Sequence, residues 1–269
     1  MKKRTQRSLT ILFILIFAVS AGVLLWRGLE RARGVQSCEE AVQVAGIDRT
    51  APPPQQTVVS VPDDEPETIP DPYAVMLLQT DLSALREING DVVAWVDIPD
   101  TELSYPVLQA EDNQYYLKHT WQKEKNGGGS IFMECTCTPD FSDFRTILYG
   151  HRMRNDSMFG TLKYYAEQDF WAEHPRVYVV TDDSVYVYDI FSAFEAGIRE
   201  IVYRLDIEES GLEEEFIRFC LDGSVIDSGI VPESTDKILT LSTCTGNGHA
   251  TRWVIHGVLT QVYSAEASG

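Results

Sequence analysis

The spacing of apolar positions changes three times along the chain. Leu9–Trp26 is a run of 18 residues without a charge. As a helix it covers about 27 Å, enough to cross the hydrocarbon core of a bilayer. From Gly34 to Pro72 the apolar pattern lapses. Pro52, Pro53, Pro54, Pro62, Pro66, Pro70 and Pro72 alternate there with Asp63, Asp64, Glu65 and Glu67, the composition of a stiff, solvated linker. No fixed fold is expected before Tyr73. Over Tyr73–Asn89 the positions Val75, Leu77, Leu78, Leu82, Leu85 and Ile88 recur at helical spacing, and Gly90 is a natural stop. From Val92 the period becomes two. VVAWVDIP, LSYPVLQ, GSIFME, RTILYGH, RVYVVTD, SVYVYDIFSAFEA, KILTLSTC and RWVIHGVLTQVY read as eight short strands separated by Gly, Pro, Asp or Asn. Such a series predicts a mainly β domain, either a closed barrel or a sandwich. Two helical inserts break it, Ser157–Phe170 and Gly211–Asp222. The second has Leu212, Phe216, Phe219 and Cys220 on one face and Glu213, Glu214 and Glu215 in its first turn. No internal repeat is present.

Charge divides the chain at the same places. The formal net charge is −19, yet residues 1–33 carry seven Lys/Arg and one Glu, leaving 15 basic and 40 acidic residues in the remainder. So acidic a body argues against nucleic acid or an anionic membrane as its partner. Lys2, Lys3, Arg4 and Arg7 precede the apolar run, and Arg27, Arg31 and Arg33 follow it, so both flanks are positive. Two readings stand. One is an uncleaved single-pass anchor with the N-terminus in the cytoplasm and the body outside, favoured by the length of the run. The other is a signal peptide cut near Ala18-Val19-Ser20-Ala21. The expected organisation is a basic tail (1–8), an anchor (9–26), a linker (27–72) and a folded domain (73–269), for which 44% apolar residues provide an ample core.

The five cysteines are too few and odd in number for a disulfide scaffold. Cys135 and Cys137, two apart in an extended strand, project the same way about 7 Å apart and cannot form a relaxed disulfide. No second cysteine or histidine pair completes a zinc site, so neither metal nor cofactor is expected. The acids show no EF-hand spacing for calcium. Cys220, on the apolar face of its helix, reads as a small buried hydrophobe. Cys38, close to the membrane, is open to lipidation or an intermolecular disulfide as well as to neither.

Cys244 is placed differently. It ends the apolar run Ile238–Thr243, and after a short polar loop Arg252 opens the next run. A thiol becomes a useful nucleophile when a positive group favours its thiolate and a base stands nearby. Among the five histidines His151 is the best placed as that base, because it follows Gly150 at the end of an apolar strand and precedes the polar loop Arg152–Asp156. An exposed loop histidine is the alternative reading. His119 lies in a polar turn and His174 precedes Pro175. His249 falls in the loop after Cys244, where it could line a substrate path. His256 alternates along the last strand as a packing or surface residue. Arg252 reads either as half of a surface ion pair or as a donor to a developing oxyanion.

Taken together these residues resemble a sortase, and within that family class B. The resemblance runs from about Tyr73 to Tyr263. It is carried by TLSTC (Thr240–Cys244) with Arg252 on the next strand, by TILYGHRMRNDSMFGTL (Thr146–Leu162), and by Asp97–His119 and Gly129–Phe144. It implies a closed eight-stranded β-barrel with an N-terminal helix and a helix before the strand that carries the cysteine. It also implies a Gram-positive cell-surface cysteine transpeptidase with Cys244 as nucleophile, His151 as acid and base, and Arg252 as oxyanion and substrate stabiliser. Ser242, Thr243 and His249 would lie along the substrate. The partners implied are secreted proteins bearing an NPxTx-like sorting signal and an amine from a cell-wall precursor or another protein. A cysteine protease acting on the same peptide and a pilin-polymerising enzyme share the first chemical step. A catalytically silent barrel that binds wall or protein ligands is a further alternative. Glu134-Cys135-Thr136-Cys137 departs from the polar turn usual in these relatives, either as a harmless substitution or as a redox-sensitive loop.

Overall fold

The computed structural model describes residues 2–49, 71–245 and 250–264. All eight expected strands are present: β1 (Val92–Asp97), β2 (Ser104–Leu108), β3 (Ile131–Met133), β4 (Arg145–Tyr149), β5 (Arg176–Val180), β6 (Ser184–Gly197), β7 (Ile238–Cys244) and β8 (Thr251–Ser264). They close into one barrel in the order β1-β2-β3-β4-β7-β8-β6-β5. The pairs β2–β3 and β4–β7 are parallel and the other neighbours antiparallel. Closure decides between barrel and sandwich, and it leaves no open sheet edge.

Period-two alternation sorts side chains between the barrel interior and two outer layers. Ala94, Val96, Val107, Leu239, Leu241 and Ile255 fill the interior. Ile238, Val254 and Val258, one residue out of step, instead meet Phe194, Phe216 and Cys220 in a cluster outside the wall. The lid over that cluster comes from the segment between β6 and β7. It holds a 3-10 turn (Ile201–Tyr203) and two α-helices, α5 (Ile207–Ser210) and α6 (Glu213–Gly223). Cys220 is fully buried there, as its helix face requires.

The remaining helices depart from expectation in three places. The span Tyr73–Asn89 is two helices, α2 (Pro72–Leu77) and α3 (Leu82–Ile88), because Asp81 turns the chain and caps α3 through the amides of Ser83 and Ala84. The span Ser157–Phe170 is a 3-10 segment (Thr161–Ala166) followed by α4 (Gln168–Glu173). Asp156 just before this span and Met158 within it have positive φ, and Gly160 lies so close to the backbone that a Cβ would sit 2.4 Å from the Met153 carbonyl oxygen. The positive φ at Met158 interrupts a continuous helix there.

The largest difference is at the N-terminus. α1 (Lys2–Val44) is one 43-residue helix that continues well into the expected linker. Ser37, Ala41 and Ala45, spaced by four, are buried against the barrel side, a short stripe of small residues that proline counting over the whole segment conceals. Arg49 completes the docking. Its guanidinium donates to the carbonyls of Ile98 and Thr101 and pairs with the buried Asp97, whose carboxylate also accepts from Tyr73 Oη at 2.7 Å. The proline- and acid-rich residues 50–70 lie outside the described residues.

Candidate active site

Three strand ends converge on the rim of the barrel. β4 and β7 run parallel with Tyr149 opposite Ser242, and the contact continues one step further. The Gly150 amide donates to the Ser242 carbonyl at 3.2 Å, and Thr243 Oγ1 donates to the Gly150 carbonyl at 2.7 Å. His151 therefore leaves β4 beside the last residues of β7. On the other flank β7 and β8 are antiparallel, with Cys244 directly opposite Arg252. Directly opposed residues share a face and hold their Cβ atoms about 5 Å apart. The three residues expected to act together are thus gathered at one rim, and each is half-buried and open to solvent.

Side-chain parity separates the roles around them. Thr240, Ser242 and Cys244 share the outer face of β7, whereas Thr243 shares the inward parity of Leu239 and Leu241. Thr243 is buried and its hydroxyl is taken by Gly150. It ties two strand ends together, and its side chain faces away from Cys244. Ser242 is buried on the cysteine's face, within 2.8 Å of Tyr203 Oη. Its neighbour Thr240 bonds His256 Nδ1 at 3.0 Å. His256 is fully buried among Phe191, Phe194 and Phe216, and burial pulls its pKa down to about 3. It is a neutral packing residue, one of the two readings open from sequence.

Tyr203 escapes sequence reasoning. Nothing marks the segment Ile201–Tyr203 as part of a site, yet its 3-10 turn overhangs the rim. Burial pushes the phenol up to about 12, with the nearby Arg252 opposing and Cys244 adding to that shift. Arg145 pins this wall. Its guanidinium donates to the carbonyls of Val202 and Arg204, on either side of Tyr203, and lies 5.4 Å from the centre of the Phe216 ring. The only available signal was an arginine at the start of an apolar strand.

His151 is held at one nitrogen. Nε2 lies 2.8 Å from the Leu117 carbonyl oxygen. A carbonyl only accepts, so Nε2 carries the proton and donates, and Nδ1 is the nitrogen free to gain or lose one. The backbone fixes the ring from the other side, where the Phe159 amide donates to the His151 carbonyl at 3.0 Å. Gly150 has no room for a side chain, because a Cβ there would come within 2.5 Å of Ile131 Cδ1 and 2.8 Å of Phe159. Gly150→Ala is expected to shift His151 and lower kcat about a hundredfold. Steady-state kinetics with thermal unfolding checks this, since the effect must exceed any loss of folded protein.

The other sites have structural occupations. His119 stacks on Tyr115 and bonds its carbonyl through Nδ1, and His174 Nδ1 bonds the Pro99 carbonyl. His249 lies outside the described residues. All five cysteines are free. Cys137 packs on the interior cluster and burial raises its thiol to about 11. Glu134 is buried, which alone would raise its pKa. Hydrogen bonds from Asn113, Cys135 and Tyr149 and the Thr136 amide outweigh that and hold the carboxylate below its usual range.

Comparison with known proteins places this geometry. The sortase domain model matches residues 96–260. The chain belongs to the sortase family, class B. It is 36% identical to sortase B of Listeria monocytogenes over 167 residues, covering 62% of this chain and 68% of that protein. The crystal structure of Staphylococcus aureus sortase B is 32% identical, with a TM-score of 0.64 over 68% of this chain and 87% of that one. A sortase B–substrate complex from Staphylococcus aureus gives 31% identity and a TM-score of 0.62 over 66% and 84%. The sortase family comprises cysteine transpeptidases, and class B membership implies cell-wall sorting. The closed mixed barrel with its N-terminal helices agrees with that membership.

Proposed function

We propose that this sortase is a membrane-anchored transpeptidase that cuts an NPxTx-like sorting signal after its threonine and passes the acyl group to an amine. Cys244 Sγ attacks the threonine carbonyl, and Arg252 donates to the resulting oxyanion. Collapse expels the leaving amine, which takes its proton from His151, and leaves a thioester on Cys244. The acceptor amine then attacks, giving up its proton to the same imidazole nitrogen, and Cys244 is released as the leaving thiolate. Ser242 and Tyr203 would line the substrate beside the thiol. Thr243 acts through the strand ends it joins, and His249 would border the path.

The cross-strand register of Cys244 with Arg252, continuous with the Gly150–Ser242 contact, carries this reading. The anchor rests on α1, whose most apolar 18-residue window has a mean hydropathy of 2.1 and is nowhere buried against the protein. This fits a single span with the catalytic domain outside. Family membership supports the proposed substrate class, and a Staphylococcus aureus relative has been solved as a sortase B–substrate complex. Wall precursor and protein amine remain equivalent acceptors for this chemistry. Incubating the full chain in detergent with an NPxTx peptide, with and without a short amine, tests the proposal. An amine-dependent ligated product is expected. Hydrolysed peptide alone, unchanged by amine, would favour a protease.

A further inference from the structure

The membrane-proximal half of α1 touches the loop that orients the catalytic histidine. Asn126 is 5% exposed and stands between them. Its Nδ2 donates to the Glu30 carbonyl at 2.8 Å, while its backbone amide donates to the Lys118 carbonyl at 2.9 Å. Lys118 follows Leu117, whose carbonyl accepts from His151 Nε2. Parallel contacts reinforce the path. The Gly127 amide donates to Glu30 Oε1 at 3.1 Å, and Trp121 Nε1 donates to the Ser37 carbonyl at 2.7 Å. The loop also doubles back tightly. Gly129 has a φ of +59°, and a Cβ there would lie 2.5 Å from the Tyr116 carbonyl oxygen. Segment 116–130 is therefore clamped between α1 on one side and His151 on the other.

We infer that the docked part of α1, residues 30–44, is a working part of the catalytic unit, with Asn126 as the positioning residue that couples it to His151. The inference rests on the transpeptidase reading for its kinetic consequence but not for its structural one. Only one tautomer of His151 serves the chemistry if Nδ1 exchanges the proton, and the Leu117 carbonyl selects it. Lifting α1 releases Asn126, lets the 116–130 loop relax and removes that selection. The span of the membrane and the geometry of the site then become linked through one continuous helix.

Gly34 offers a wedge placed directly against Asn126. A Cβ at Gly34 would stand 3.2 Å from Asn126 Oδ1, whereas one at Gly28, on the same helix, meets nothing within 4 Å. Replacing a helical glycine also favours the helix itself, so Gly34→Leu does not unfold α1. The test compares the full chain with Gly34→Leu and Gly28→Leu in detergent, by three readouts. Alkylation of Cys38, which packs against the interior cluster, reports whether α1 has lifted. Histidine ¹⁵N shifts, with His151 assigned by His151→Gln, report its tautomer whether or not the enzyme turns over. Peptide kinetics report kcat and KM. Gly34→Leu is expected to expose Cys38, to replace the Nε2–H form of His151 by a mixture, and to lower kcat roughly tenfold or more with KM unchanged. Gly28→Leu should match the parent. An exposed Cys38 with an unchanged His151 tautomer and unchanged kcat would overturn the inference. A parent chain without acyl transfer would instead refute the transpeptidase reading and leave the tautomer result to be judged alone.

Discussion

Cys244→Ala is expected to lower acyl transfer by about 10⁶-fold, and adding His151→Ala to it should cost almost nothing more. In the proposed mechanism the Cys244 thiol forms the covalent bond on which both half-reactions depend, and the His151 imidazole serves only the proton traffic of that bond. Once the nucleophile is gone the base has nothing to serve, so the two losses do not add. Arg252→Ala alone should cost less, about 10²–10³-fold, since it removes oxyanion stabilisation while leaving the covalent route open. Kinetics of the two single variants and the double variant at one pH decide the matter. Additive losses from Cys244→Ala and His151→Ala would mean that the two residues act in different steps or at different places.

The second large effect concerns stability. Arg49→Met is expected to destabilise the domain by about 3 kcal/mol, at the lower end for a broken buried ion pair because Tyr73 still donates to Asp97. For a domain of this size that lowers Tm by about 6–12 °C. The loss should depend on pH. Burial already raises the pKa of Asp97 above its ordinary 3.8, although Arg49, Ser104 and Tyr73 oppose the rise. The folded state therefore holds this proton more tightly than the unfolded chain. Its contribution to stability is complete below pH 3.8 and disappears as pH rises through the elevated folded value. Without Arg49 the folded value rises further, so the variant's deficit should be larger at pH 8 than at pH 5. Thermal unfolding of the full chain at both pH values checks the size and sign. An equal deficit at both would show that Asp97 ionisation is not involved.

The barrel and the gathering of Cys244, His151 and Arg252 at its rim are legible in the chain because each rests on a short-range signal. Period-two runs mark the strands. TLSTC and YGH mark two strand ends, and the arginine opens the next strand. Contacts made by irregular backbone are not legible. The 3-10 turn that swings Tyr203 over Ser242 and the Leu117 carbonyl that selects the His151 tautomer come from segments with no periodic pattern, and Arg145, though it opens β4, pins that turn through backbone carbonyls no pattern announces. The longer N-terminal helix escapes the sequence for a different reason. Ser37, Ala41 and Ala45 are too small to register as an apolar stripe, and the prolines that follow dominate the composition of the window. Residues 27–44 therefore read as linker in the sequence although they continue the helix.

Intact-mass spectrometry of the full chain, quenched during turnover of a sorting peptide, tests the central claim most directly. The mass should rise by that of the acyl fragment ending in threonine. The adduct should map to Cys244, disappear when an amine is added, and be absent from Cys244→Ala. A ligated product formed without any adduct on Cys244, and surviving in Cys244→Ala, would contradict this account of the site.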